Sequence, residues 1–141
     1  MREKILYGER VPNPNSPGGL SNKLIGAHSP RIKSRPDFDV EVISNNADGT
    51  TTVKLVKLFP DGNISKLKTN STLAPDSWSD DKIIDVTNQV ATTPPVAISS
   101  RGDGSTLHRQ IVDGVEWEVI KDASGNVTSS YPTGGTPTTN F

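Results

Sequence analysis

The stretch TLHRQIVDGVEWEVIKDASGNVTSSY, residues 106–131, decides the fold. An Asp-Gly pair and an Asp-Ala-Ser-Gly segment divide it into three runs rich in β-branched residues, which predicts three antiparallel strands joined by tight turns. In the middle run Val115, Trp117 and Val119 share one face and are expected in the core. The predicted strands span 106–112, 115–121 and 126–131.

A second antiparallel unit is predicted closer to the N-terminus. Phe38-Asp39-Val40-Glu41-Val42 alternates apolar and acidic residues, which is typical of a strand with one buried face. A turn at 45–49 leads to a β-branched return strand over 50–59. The turn Pro60-Asp61-Gly62-Asn63 then predicts a third strand over 64–69.

One long helix is predicted between the two units. Ser79 is a suitable N-cap, and Trp78 before it can pack on Ile83 as a hydrophobic staple. Pro94-Pro95 prevents the helix from continuing. A shorter helix of about two turns is expected over 21–27. The predicted fold class is therefore α+β, with two antiparallel β-sheet units and few helices.

Length, composition and charge limit the function classes. A chain of 141 residues fits one domain, predicted over 1–135, and the Gly-, Pro- and Thr-rich segment 136–141 is expected to be a mobile tail. The chain has no cysteine, which excludes disulfides and thiolate metal sites, and no apolar run long enough for a membrane-spanning helix. Residues 1–70 carry eleven Lys or Arg against seven Asp or Glu, and residues 71–141 carry four against nine. With balances of +4 and −5, a basic face can come from the first half of the chain.

The chain has two histidines. His28 is expected in a half-exposed loop beside a rigid element, where catalytic groups are common. An imidazole with an ordinary pKa of about 6.5 can take or give a proton at cellular pH. His108 is out of phase with Leu107 and Ile111 on its predicted strand and is expected at the surface.

Four short segments follow one another along the chain: EKILYGE at 3–9, LIGAHS at 24–29, Ser77-Trp78-Ser79, and SSYP at 129–132. In this order they resemble the motifs of the EndoU endoribonucleases, in the bacterial branch found as C-terminal toxin domains of contact-dependent growth inhibition and related secreted proteins. The resemblance implies a two-lobed, β-rich fold with a central cleft. It also implies that Lys4 stands where the family carries its first catalytic histidine, and His28 where it carries the second.

The same resemblance implies further site residues. It requires a catalytic lysine on a strand after His28, and the candidates are Lys54 and Lys57, which lie on opposite faces of their strand. It assigns Ser129 and Tyr131 to contacts with the nucleotide at the cleavage site. These two residues lie two positions apart on a strand and therefore point the same way.

Other cations are predicted to bind phosphates. Lys66 and Lys68 share one strand face, and Arg31 and Lys33 follow the histidine motif closely. Lys4 is expected either to stabilise charge on the phosphate or to act as the second proton donor.

The expected function is RNA cleavage through attack by the ribose 2′-hydroxyl, which leaves a 2′,3′-cyclic phosphate. No cofactor or metal is expected, and Asp37, Asp39 and Glu41 are interpreted as a solvent-facing side of a strand. By family analogy the substrate is a tRNA, and the domain is a monomer neutralised by a cognate immunity protein, without a membrane partner. It would be delivered as part of a larger secreted or cell-surface protein and act in the target-cell cytoplasm. Two alternatives are a non-enzymatic β-rich interaction module of a secreted protein and a degenerate EndoU domain that binds RNA without cutting it.

Overall fold

Over residues 1–141, which are described except for the side chain of Pro17, the computed structural model contains two α-helices and nine β-strands. In chain order they are α1 (Arg2–Tyr7), β1 (Glu9–Pro12), β2 (Leu20–Ile25), β3 (Phe38–Asn45), β4 (Thr51–Lys57), β5 (Lys68–Leu73), α2 (Asp80–Ala91), β6 (Ala97–Ile98), β7 (Thr106–Val112), β8 (Val115–Lys121) and β9 (Val127–Pro132). The strands form three antiparallel sheets, ordered β1-β2, β3-β4-β5 and β6-β7-β8-β9. This confirms the α+β class. Within the described part of the chain, neither helix is long and apolar enough to cross a bilayer.

Helix α2 and the β6–β9 sheet form the first hydrophobic core. Ser79 caps the helix, since its Oγ accepts a hydrogen bond from the Lys82 N–H at 3.0 Å. Trp78 stacks on Trp117, with ring centroids 5.6 Å apart. The predicted inward face of β8 is buried against this helix, so the sequence-based predictions of α2 and of the C-terminal strands are confirmed.

The second core lies beneath β2 and the β3-β4-β5 sheet. The helix predicted over 21–27 is wrong, because Leu20–Ile25 is strand β2. Ser21 and Asn22 are weak helix formers, and β1 pairs with both ends of this segment in antiparallel register, with an irregularity between Arg10 and Pro12. Leu24, paired with Arg10 of β1, then turns inward and is buried.

The last strand of the N-terminal unit is displaced along the chain. It begins at Lys68 rather than at residue 64, and Ile64 makes only an isolated bridge to Leu58. Asn70 lies in the left-handed region with φ 63°, and the β4-β5 register shifts at this end of the strand. Such an irregularity re-aims the side chains of an edge strand.

The C-terminal end of α1 holds the segment that carries His28. The last carbonyl groups of a helix have no partner within the helix. Here the carbonyls of Lys4, Ile5 and Leu6 accept hydrogen bonds from the N–H groups of residues 27–29 at 3.1, 2.8 and 3.1 Å. Only glycine fits at position 26, where φ is +83° and a Cβ would lie 1.8 Å from the Lys4 carbonyl oxygen. The first two sequence motifs therefore form one unit.

Asp80, the first residue of α2, ties this unit to the helical side of the molecule. Its carboxylate accepts hydrogen bonds from the hydroxyls of Tyr7 and of Ser29, the latter at 2.7 Å. The Arg31 guanidinium lies 3.5 Å from the same carboxylate. A negative charge is also favourable at a helix N-terminus. The segment around His28 is therefore held by α1 through backbone hydrogen bonds and by α2 through Asp80.

The segment 136–141 contacts the body of the domain. The Thr138 hydroxyl donates to the buried Glu118 carboxylate at 2.7 Å, and the Ser100 N–H donates to the Phe141 carbonyl at 3.0 Å. The boundary at residue 135 and the mobility of the tail stay predictions.

Candidate active site

A cavity of about 620 Å³ opens between β5 and β9, where the two larger sheets approach each other. We call it the central cleft. Four lysines line it, together with His28, Ser129 and Tyr131; the lysines are Lys4, Lys23, Lys66 and Lys68. Among the described residues no Asp or Glu lines the cleft, so its four lysines meet no carboxylate there. A cleft lined by charge of one sign concentrates ligands of the opposite sign, here anions.

His28 has one ring nitrogen held by the protein and one left free. The side chain is buried, and its Nδ1 lies 2.8 Å from the carbonyl oxygen of Thr72. Because a carbonyl only accepts hydrogen bonds, Nδ1 carries the ring proton and Nε2 keeps its lone pair. Nε2 has no hydrogen-bond partner among the described residues. Burial and the nearby Lys68 ammonium lower the pKa of His28 to about 3, so the ring is neutral at cellular pH and Nε2 can accept a proton.

Lys68 is the cation beside His28. Its Nζ donates a hydrogen bond to the carbonyl oxygen of Gly26, and burial lowers its pKa to about 8. An anion bound between the two side chains would favour the charged form of Lys68 and restore proton affinity to His28. The pair is therefore suited to a phosphate.

Strand β9 supplies the opposite wall. The Tyr131 and His28 ring centroids are 6.1 Å apart with the planes tilted by 42°, within the range of aromatic contact. The Tyr131 hydroxyl lies 3.1 Å from Thr138 Oγ1, and burial raises its pKa to about 12, which keeps the phenol neutral. Ser129 lines the same cleft. The structure thus brings together His28, Ser129 and Tyr131, about a hundred residues apart in sequence, and their chemical roles stay predictions.

A comparison with family models gave a match over nearly the whole chain. The model of the bacterial EndoU nucleases matches residues 1–134. The chain belongs to the bacterial EndoU nuclease family. It is accordingly an endoribonuclease. Comparisons with curated proteins and with solved structures gave no match.

In this EndoU nuclease, Lys4 lines the central cleft from α1. The side chain is half-buried, and its ammonium forms no ion pair with any described residue. Since the Lys4 carbonyl also accepts the Ala27 N–H, the backbone of Lys4 is held next to that of His28. Lys4, which the motif resemblance aligns with the first histidine of the family, therefore lies on the wall of the cleft.

Lys54 and Lys57 do not join His28, which corrects the sequence-based placement of the EndoU lysine. As far as the chain is described, neither lines the central cleft. Lys54 is exposed, and the Lys57 ammonium donates to the Tyr7 carbonyl at 2.8 Å. Both belong to β4, the middle strand of its sheet, whereas β5 is the edge that faces β9. The lysine that reaches His28 is therefore Lys68, predicted only as a phosphate ligand.

Arg31 and Lys33 also lie away from the cleft, in contrast to the sequence-based expectation. Arg31 Nη1 donates to the Trp78 carbonyl oxygen at 2.7 Å, and the Lys33 ammonium pairs with Asp76. Both cations fasten the loop after His28 to the residues around the start of α2. Lys66, predicted as a phosphate ligand, does line the cleft.

His108 is buried, so its predicted surface position is wrong. Its Nδ1 lies 2.7 Å from the Thr93 carbonyl oxygen and its Nε2 lies 2.8 Å from Thr106 Oγ1. The segment after α2 covers this face of β7, and Leu107 on the other face is buried as well. Alternation cannot reveal a strand that is covered on both faces.

Sequence reasoning missed two features of the site. The Thr72 carbonyl that fixes the His28 ring is a backbone group and has no sequence signal. Lys23 lines the cleft from β2, and the incorrect prediction of a helix over 21–27 gave no reason to place it there. Among the described residues, no group of three or more His, Asp or Glu side chains is arranged to hold a metal ion.

Proposed function

We propose that this EndoU nuclease cuts RNA by attack of a ribose 2′-hydroxyl on the adjacent phosphate, without a metal ion. The observation that carries the proposal is the unpartnered Nε2 of a neutral His28 in a cleft lined by four lysines. The cleft attracts the phosphate, and Nε2 is available for the hydroxyl proton.

The steps need only the RNA and side chains of the cleft. The 2′-hydroxyl proton moves to Nε2 of His28 while the 2′-oxygen forms a bond to phosphorus. The Lys68 ammonium stabilises the negative charge that develops on the phosphoryl oxygens. The bond from phosphorus to the 5′-oxygen then breaks, and the leaving oxygen takes a proton from the Lys4 ammonium. The products are a 2′,3′-cyclic phosphate and a 5′-hydroxyl.

Tyr131 and Ser129 would hold the nucleotide on the other wall. The Tyr131 phenol is engaged with Thr138 and neutral, which suits its ring to stacking on an unpaired base rather than to proton transfer. The Ser129 hydroxyl, on the same wall, can hydrogen-bond a ribose or a base edge.

The biological setting that we propose rests on analogy with the family. The substrate would be a tRNA. The domain would be the toxic part of a larger secreted or cell-surface protein, act as a monomer in the cytoplasm of a target cell, and be inhibited by a cognate immunity protein.

Incubation of the purified protein with total RNA, with and without EDTA, tests this mechanism. We expect cleavage that EDTA does not change, and fragments that end in a 2′,3′-cyclic phosphate and begin with a 5′-hydroxyl. An EDTA-sensitive reaction that yields 5′-phosphate ends would refute the mechanism, because those ends are typical of metal-activated water attack. A folded protein that binds RNA but releases no fragments would favour the degenerate, non-cutting alternative.

A further inference from the structure

We propose that Lys23 and Lys66 form a flanking-phosphate subsite, which binds the RNA strand at phosphates next to the one that is cut. This inference rests on the proposed function. It extends that function from the phosphate that is cut to the phosphates beside it.

The first support is the position of the two lysines. Lys23 lies near the end of β2, Lys66 lies in the segment before β5, and both line the central cleft. The Lys66 N–H donates to the Asn22 carbonyl at 2.8 Å, so the two lysines come from directly adjoining stretches of backbone. Both side chains are exposed. They form a cationic pair on the wall that also carries Lys68.

The second support is the number of cations without partners. Lys4 and Lys68 already serve one phosphate in the proposed reaction. Lys23 and Lys66 form no ion pairs with described residues, whereas Lys33 and Lys82 each have a carboxylate partner. Two additional unneutralised lysines in one cleft exceed what a single phosphate needs, and they match the repeated charge of a nucleic acid backbone.

The third support is an apolar side chain next to these cations. Leu67 lines the cleft and is 59 % exposed. Between two phosphate-binding positions it offers an apolar surface to a base that is not paired in a duplex. A base buried in a helical stack could not reach it, so the subsite favours single-stranded RNA.

The test compares the wild-type chain with a Lys23→Gln/Lys66→Gln double variant, and Arg101→Gln as the control. Arg101 is an exposed cation outside the cleft. The binding probe is a fluorescent eight-nucleotide RNA of mixed sequence with 2′-O-methyl groups, which cannot be cut by its own 2′-hydroxyl. The dissociation constant is measured from low to high salt. Cleavage is then measured on the unmodified octamer and on dinucleotides.

The double variant should lower the slope of log Kd against log salt by about 1.4, since each phosphate contact on a single strand contributes about 0.7. Its KM for the octamer should rise about tenfold. Its KM for dinucleotides should rise less, because a dinucleotide has no flanking phosphate and loses only the general attraction of the cleft for anions. Arg101→Gln should change none of these values.

An unchanged salt slope would overturn the subsite, and so would a loss on dinucleotides as large as that on the octamer. The binding experiment remains decisive even if the wild-type protein cuts no RNA. That result would refute the proposed function but not the subsite.

Discussion

His28 and His108 are both buried and have the same kind of partner at Nδ1, but they differ at the second ring nitrogen. Both rings are buried, and each directs Nδ1 to a backbone carbonyl, Thr72 at 2.8 Å or Thr93 at 2.7 Å. The second nitrogen of His108 is satisfied by Thr106, whereas that of His28 has no described partner and belongs to a lysine-lined cleft. Burial and an ordered tautomer therefore do not identify a catalytic histidine. The free nitrogen beside unneutralised cations is the difference on which the proposed role of His28 rests.

The largest effect is expected from removing the Lys68 ammonium, the cation beside His28. We expect Lys68→Met to lower kcat/KM by about two to three orders of magnitude, because it deletes the charge that stabilises the phosphoryl oxygens. The matched control is Lys57→Met, which also removes a half-buried ammonium bonded to a backbone carbonyl. With a pKa of about 8 for Lys68, wild-type kcat/KM should decline above pH 8 as the ammonium is lost. Equal activity losses in the two variants would show that Lys68 acts only in folding.

The next largest effect is expected from removing the Lys4 ammonium. If it protonates the leaving oxygen, Lys4→Met should slow cleavage by about a hundredfold. Lys4→His introduces the residue type that the motif resemblance implies for this position, so it should keep activity near or above that of wild type. It should also shift the alkaline decline to lower pH, because an imidazolium loses its proton before an ammonium does. A Lys4→Met protein with full activity would remove Lys4 from the mechanism while leaving His28 and Lys68 in place.

A smaller effect concerns stability. The pKa of His28 is lowered from its ordinary 6.5 to about 3, so the unfolded chain binds this proton more readily than the folded one. The stability associated with the neutral ring is complete above pH 6.5 and is lost as the pH falls toward 3. Between pH 6.5 and 4.5 the free energy of unfolding should drop by about 2 kcal/mol through this group. Urea unfolding of His28→Gln should lack that part of the pH dependence, and an identical pH profile in both proteins would contradict the shifted pKa.

The parts of this fold that the sequence predicts are those with complete local signals. Helix α2 has a capping serine and a preceding tryptophan, and β7–β9 have turn residues at both connections. Strand β2 lacks such a signal, because its partner β1 is only four residues long and runs into the Pro- and Gly-rich stretch at 11–19, which does not resemble a hairpin turn.

The site residues likewise divide into those with a local sequence signal and those whose place depends on tertiary structure. The motif resemblance led to His28, Ser129 and Tyr131, which the structure brings to one cleft. It did not identify the lysine. The choice among Lys54, Lys57 and Lys68 depends on which strand is the sheet edge beside β9 and on the irregular backbone at Asn70. Both are tertiary properties, as is the cover over His108.

The central claim is that His28, and not His108, transfers the proton. The most direct test is the rate of RNA cleavage by His28→Gln beside His108→Gln, with circular dichroism to confirm that each protein is folded. We predict a loss of about two to four orders of magnitude for His28→Gln and activity within a few-fold of wild type for His108→Gln. Full cleavage by a folded His28→Gln protein, or an equal loss in both variants, would contradict the account.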